Sequence, residues 1–69
     1  MFNDIANNST YLAIIGGYVI SINDYKTCYA HKLNTDDTLT RVAHCKIQDS
    51  FYNDYGGINL YRVYEFLVK

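Results

Sequence analysis

Between Thr10 and Asn23 the chain carries no charged side chain, and Tyr11-Leu-Ala-Ile-Ile-Gly-Gly-Tyr-Val-Ile-Ser-Ile22 is its most apolar run. A membrane span needs roughly 20 apolar residues, so this run is too short to cross a bilayer and the rest of the protein must cover it. Its β-branched and aromatic residues (Ile14, Ile15, Tyr18, Val19, Ile20, Ile22) favour strand, and the central Gly16-Gly17 pair argues against a continuous helix. Gly-Gly between two apolar runs signals a two-residue hairpin, because both turn positions take φ > 0. That register sets Ile15 opposite Tyr18, Ala13 opposite Ile20 and Tyr11 opposite Ile22 on one side. Leu12, Ile14, Val19 and Ser21 line the other. A single strand kinked at the glycines is the alternative.

At 69 residues the chain is expected to form one domain, 1–69. A domain of this size buries only about 60% of its unfolded surface, so most of its apolar residues must contribute to stability. A hydrophobic content of 49% supplies a core and excludes wholesale disorder. Six Lys and Arg answer seven Asp and Glu, for a net charge of −1. That balance fits neither a general nucleic-acid binder, which needs a basic footprint, nor an imitator of nucleic acid built from massed carboxylates. The Met1-Phe2-Asn3-Asp4 start lacks the basic region of a signal peptide. The expectation is a cytoplasmic protein with reduced Cys28 and Cys45. Heavy use of Asn, Ile and Tyr, which have AT-rich codons, suggests a low-GC bacterium or one of its viruses.

Residues 2–9 suit one helical turn capped by Asn3, or an ordered arm. Asn23-Asp24-Tyr25-Lys26 reads as a turn. Thr27 to Ile47 reads as a second hairpin about Asn34-Thr35-Asp36-Asp37 with an odd-numbered loop. That loop places Leu33 opposite Leu39, Tyr29 opposite Ala43 and Thr27 opposite Cys45. Tyr29, Leu33, Leu39, Ala43, Cys45 and Ile47 then share an apolar side, intruded on by His31 and Arg41. The polar side carries Lys26, Lys32, His44 and Lys46 with Cys28 and Ala30. Ser50–Tyr55 suits a short helix capped by Asp49 and stopped at Gly56, or a loop. Residues 58–69 support helix by periodicity and strand by propensity, and the expected state is an interior strand. The fold class is mainly β, with α+β as the alternative. It is a small antiparallel sheet of four to five strands with one or two short helical turns.

All Cys and His lie between residues 28 and 45, as Cys28-x-x-His31 and His44-Cys45. Two thiolates and two imidazoles are a legitimate tetrahedral zinc set, which makes a zinc-stabilised structural module one reading. On a strand, however, the adjacent His44 and Cys45 point to opposite faces, so buried thiols and satisfied histidines are the ordinary account. A thiolate nucleophile would need an electropositive site and an oxyanion-stabilising nest. No Gly-rich loop flanks either cysteine, so no enzyme and no cofactor are expected.

A stripe of Lys26, Lys32 and Lys46 could track a phosphate backbone, which keeps a nucleic-acid-binding module as the alternative function. The tyrosines point elsewhere. Tyr29 and Tyr64 suit the edge of a core. Tyr25, Tyr52 and Tyr55 lie among Asn and Asp in turn-like contexts where exposure is expected. Exposed Tyr among polar loop residues is the chemistry of an adaptable binding surface. The leading expectation is a small non-enzymatic protein-binding module that contacts a larger protein through Tyr25, Tyr52 and Tyr55. Its size and composition match inhibitors that phages and mobile elements direct at host defence systems, anti-CRISPR proteins included.

Overall fold

The glycine pair makes the hairpin. In the computed structural model, which describes residues 2–69, β1 (Tyr11–Ile15) and β2 (Tyr18–Asn23) are antiparallel, with Ile15 opposite Tyr18 and Tyr11 opposite Ile22. Gly16 and Gly17 take φ of +58° and +83°, the left-handed values such a turn demands. β3 (Thr27–Leu33) and β4 (Leu39–Lys46) extend the sheet in the order β1-β2-β3-β4. A helix α1 (Phe2–Asn8) precedes the sheet; a 3-10 turn at Asp49–Phe51 and a helix α2 (Leu60–Val68) follow it. The described residues thus form a mostly β fold on a four-stranded antiparallel sheet, as the sequence implies.

The core lies on one face of that sheet. Ile20, Ile22, Cys28 and Ala30 are buried there beneath Phe51 and Val63, and Tyr18, Ala43 and Cys45 pack against them. Burying a Val or Phe side chain fully contributes roughly 1.5–3 kcal/mol, so Phe51 and Val63 together hold α2 and the segment before it onto the strands. The opposite face meets α1. Asp4, Ile5 and Asn8 border one cavity with Ser21, Tyr29 and Arg41 of that face, and Val19 and Ser21 are buried on it.

Residues 58–69, expected as an interior strand from their Tyr, Val and Phe content, are instead helical from Leu60 to Val68. Leu60, Val63, Tyr64, Leu67 and Val68 recur at helical spacing, and this stripe is the one turned to the core. Asn59 caps the helix: its Oδ1 accepts hydrogen bonds from the Tyr61 and Arg62 amides at 3.1 and 3.3 Å. Strand propensity reflects fit to a half-buried pleated surface. Here the sheet face needed a cover more than another strand, and periodicity prevailed.

The second hairpin keeps its expected loop but not its full register. Leu33 faces Leu39 and His31 faces Arg41, yet Ala30 faces Ala43 and Cys28 faces Cys45. Val42 is the residue left without a partner, a β-bulge that slips the register by one. The expected pairs Tyr29 with Ala43 and Thr27 with Cys45 are therefore replaced by Tyr29 with His44 and Thr27 with Lys46. The slip turns Ala43 and Cys45 toward the core beside Ala30 and Cys28, which the unbulged register would have sent to the polar side.

Two local expectations also change. Asn3 lies inside α1 rather than capping it. The Ser50–Tyr55 helix shrinks to a single 3-10 turn at Asp49–Phe51, after which Tyr52 and Ile58 form an isolated antiparallel bridge.

A Cβ at Gly16 would lie 2.8 Å from the Tyr64 hydroxyl oxygen, whereas one at Gly17 would meet nothing within 4 Å. Ala at either position costs about 1–2 kcal/mol for its left-handed φ, and only Gly16→Ala also displaces Tyr64. Urea titration should therefore rank Gly16→Ala below Gly17→Ala in stability, and Tyr64→Phe, which removes that oxygen, should narrow the gap.

Candidate functional site

Phe51 and Tyr52 are neighbours with opposite fates: Phe51 is buried in the core while Tyr52 is exposed. Between the Tyr52–Ile58 bridge the chain turns back tightly. The Gly56 amide donates to the Asn53 carbonyl at 3.1 Å and the Asn53 amide to the Gly57 carbonyl at 2.7 Å. The Asn53 side chain fastens the turn from inside, its Oδ1 accepting from the Tyr55 and Gly57 amides at 2.9 and 3.0 Å. Gly56 closes it with a φ of +82°. Tyr55 stands at the tip of this fastened loop and is 97% exposed.

The base of the loop is tied to α2. The Asn59 amide donates to the Phe51 carbonyl at 2.8 Å, and Arg62 Nη1 donates to the Ser50 carbonyl at 3.1 Å. Phe66 of α2 meets the Phe51 ring edge-on with centroids 5.4 Å apart while remaining 54% exposed. Phe51, Arg62 and Phe66 thereby line an open groove beside the loop. Phe66 and Asn53 were absent from the sequence-based candidates. The strand assignment for 58–69 hid the exposed side of α2. Asn53-x-x-Gly56 was the readable signal for the turn, since Asn folds its side chain onto the backbone two residues ahead.

Tyr25 belongs to a different turn. It follows Asp24 between β2 and β3, both with left-handed φ (54° and 55°), and the Lys26 amide closes the turn onto the Asn23 carbonyl at 3.1 Å. Its ring meets Tyr11 edge-on at 6.3 Å and is 66% exposed. A bulky residue rarely adopts this φ, and such strain tends to be retained at functional positions.

The lysines do not form the expected stripe. Lys26 lies in that turn, Lys32 faces Tyr18 and Thr40 on the α2 side of the sheet, and Lys46 faces Thr27 on the other side. The bulge at Val42 causes the separation. It gathers instead a set that sequence spacing did not suggest: Tyr29, His31, Arg41, His44 and Lys46 share the face away from α2. The four zinc candidates also divide. Cys28 and Cys45 face each other within the core side, while His31 and His44 lie beyond the sheet.

Burial, then the neighbouring Cys45 thiol, push the Cys28 thiol up to about 12. Burial also raises Cys45. Both are protonated at neutral pH, a state that suppresses nucleophilic chemistry. Cys28 should therefore resist maleimide in the native protein and react only after unfolding in guanidinium, as read by intact mass. His31 is shifted the other way, lowered by burial and then by the Arg41 guanidinium. The unfolded chain therefore takes up this proton before the folded one does. The stability held by neutral His31 should be fully present above about 6.5, the ordinary imidazole value, and drain away as pH falls through the folded value below it. His31→Gln should flatten that part of a stability–pH profile.

No protein-family model, curated protein or solved structure matches this chain.

Proposed function

We propose that the protein is a non-enzymatic binding module that seats the 52–58 loop on a larger protein, with Tyr55 as the anchor and Tyr52 beside it. The observation that carries this reading is an almost fully exposed tyrosine on a loop whose Tyr55 and Gly57 amides both donate to the Asn53 side chain. An aromatic ring in water gains nothing for folding. Inserted into a partner's pocket it can dominate the binding energy. A loop already fixed in shape loses little further entropy on docking, and this raises affinity. Phe66 and Arg62, flanking the neighbouring groove, widen the apolar and hydrogen-bonding contact. Tyr25, strained on its own turn, is a second contact point.

Inhibition or regulation of the partner is the activity such a module supports, since covering a surface needs no catalytic group. Its small size and its Asn-, Ile- and Tyr-rich composition favour an origin in a phage or mobile element, with a host defence complex as the target. Protection of a phage from CRISPR interference in cells expressing the chain is the direct assay of that target class.

Quantitative capture with immobilised wild type and variants tests the surface itself. Tyr55→Ala should weaken capture of the partner about 30-fold, the equivalent of 2 kcal/mol. Its melting temperature should stay within about 4 °C, because surface truncations rarely change stability by more than about 0.5 kcal/mol. Asn53→Ala should weaken capture as well, by loosening the loop while leaving Tyr55 in place. Undiminished capture by both variants would place the contact elsewhere on the molecule.

A further inference from the structure

The face of the sheet away from α2 is only partly covered. Val19 and Ser21 of β2 are buried, whereas Arg41, His44 and Lys46 of β4 are exposed and Tyr29 and His31 of β3 are half-buried. Neither β3 nor β4 contains an Asp or Glu, so every formal charge on these two strands is positive. Three rings form a row across them. Tyr29 lies 6.0 Å from His31 and 6.2 Å from His44, centroid to centroid, with the planes tilted by 40° and 32°. At the His31 end the row runs into a cavity of about 340 Å³ beneath α1, bordered by Asn8, Ser21, Asn23, His31 and Arg41. His31 Nδ1 itself is buried with no hydrogen-bond partner among the described residues.

We propose that this row and the cavity at its end bind single-stranded nucleic acid, the bases stacking on Tyr29 and His44 and the phosphates meeting Arg41 and Lys46. Aromatic rings on an open sheet face stack on unpaired bases irrespective of sequence, because every base has a π-face. Cations flanking the rings track the backbone. The cavity suits one base turned inward, since its lining sets apolar surface for the face of the base beside Asn8, Asn23 and Arg41, polar side chains that meet its edge. Asp4, also at the cavity, is an acceptor for the amino group of such a base. An acidic protein surface would satisfy Arg41 and Lys46 but not the ring row or the cavity at its end. A duplex keeps its bases stacked on one another, out of reach of the rings. The surface lies across the sheet from α2, which leaves the 52–58 loop free to hold a protein.

Fluorescence anisotropy with dye-labelled 12-nucleotide single strands of DNA and of RNA, each compared with its duplex, tests the assignment. Single strands should bind in low salt and duplexes at least tenfold more weakly. The salt slope of log K should be about −1.4, the value for two phosphates neutralised on a single strand. Arg41→Glu with Lys46→Glu should lower affinity more than tenfold, while Lys32→Glu, on the α2 side, should leave it unchanged. Tyr29→Ala should lower it at least fivefold and Tyr29→Phe, which keeps the ring, should not. Imidazole chemical-shift changes at His31 and His44 on titrating wild type with a single strand report the same contact without any substitution. No binding at 20 mM salt, duplex binding as tight as single-strand binding, or equal losses from Lys32→Glu would overturn the proposal. So would loss of protein capture in the Arg41→Glu, Lys46→Glu variant together with no oligonucleotide binding, for the face would then dock a protein. Tyr55→Ala should leave oligonucleotide binding intact, which separates this surface from the loop.

Discussion

Six side chains hold this protein in one piece: Ile20, Ile22, Cys28 and Ala30 below, Phe51 and Val63 above. A sheet of four short strands has an apolar face it cannot hide by itself, and a chain this short has one segment to spare for the purpose. That demand reaches back into every local decision. It makes residues 60–68 a helix against their strand propensity and draws Phe51 inward at the end of a 3-10 turn. It also favours the bulge in β4, since only the slipped register turns Ala43 and Cys45 toward the buried cluster. Side-chain burial rather than backbone preference is the common cause.

How much of this is legible in the sequence depends on how local the cause is. The Gly16-Gly17 hairpin could be read residue by residue, because a two-residue turn dictates its own register and the alternation confirms it. The five-residue loop from Asn34 to Thr38 was legible on a different ground, because an even-numbered loop would set Lys32 beside Leu39. The bulge was not. Nothing about Val42 distinguishes it from its neighbours, and its place depends on what packs against residues two strands away. A single unpaired residue changes the cross-strand partner of every residue from Ala43 to Lys46: Ala43 and Cys45 keep their expected place on the core side, while Lys46 parts from Lys32 and His44 joins Tyr29 and His31 on the opposite face. For α2 the sequence held both answers, and the Asn59 cap was the feature that should have decided between them.

The exposed positions were easier to read than the buried ones. Tyr25, Tyr52 and Tyr55 are exposed, as their Asn- and Asp-rich surroundings implied. What the surroundings did not convey is that the loop around Tyr55 is built as tightly as the sheet. Asn53 turns what looks like a flexible polar segment into a closed hydrogen-bonded ring, so the aromatic tip is held out from a fixed base. Tyr29 and Tyr64 do lie at the margin of packed regions, yet on opposite sides of the sheet: Tyr64 reaches over the Gly16 turn while Tyr29 faces the cavity under α1.

Strand order leaves the sheet with two dissimilar margins. β4 ends it on one side with a bulge and with Arg41 and Lys46, features that twist and charge a border and discourage another strand from zipping onto it. β1 ends it on the other with Tyr-Leu-Ala-Ile-Ile, uncharged, unbulged and with Ile14 exposed. The protein is therefore polarised against its own polymerisation at one border only. Of the two borders, β1 is the one whose own sequence carries none of these guards, and Ile14 is its exposed apolar side chain.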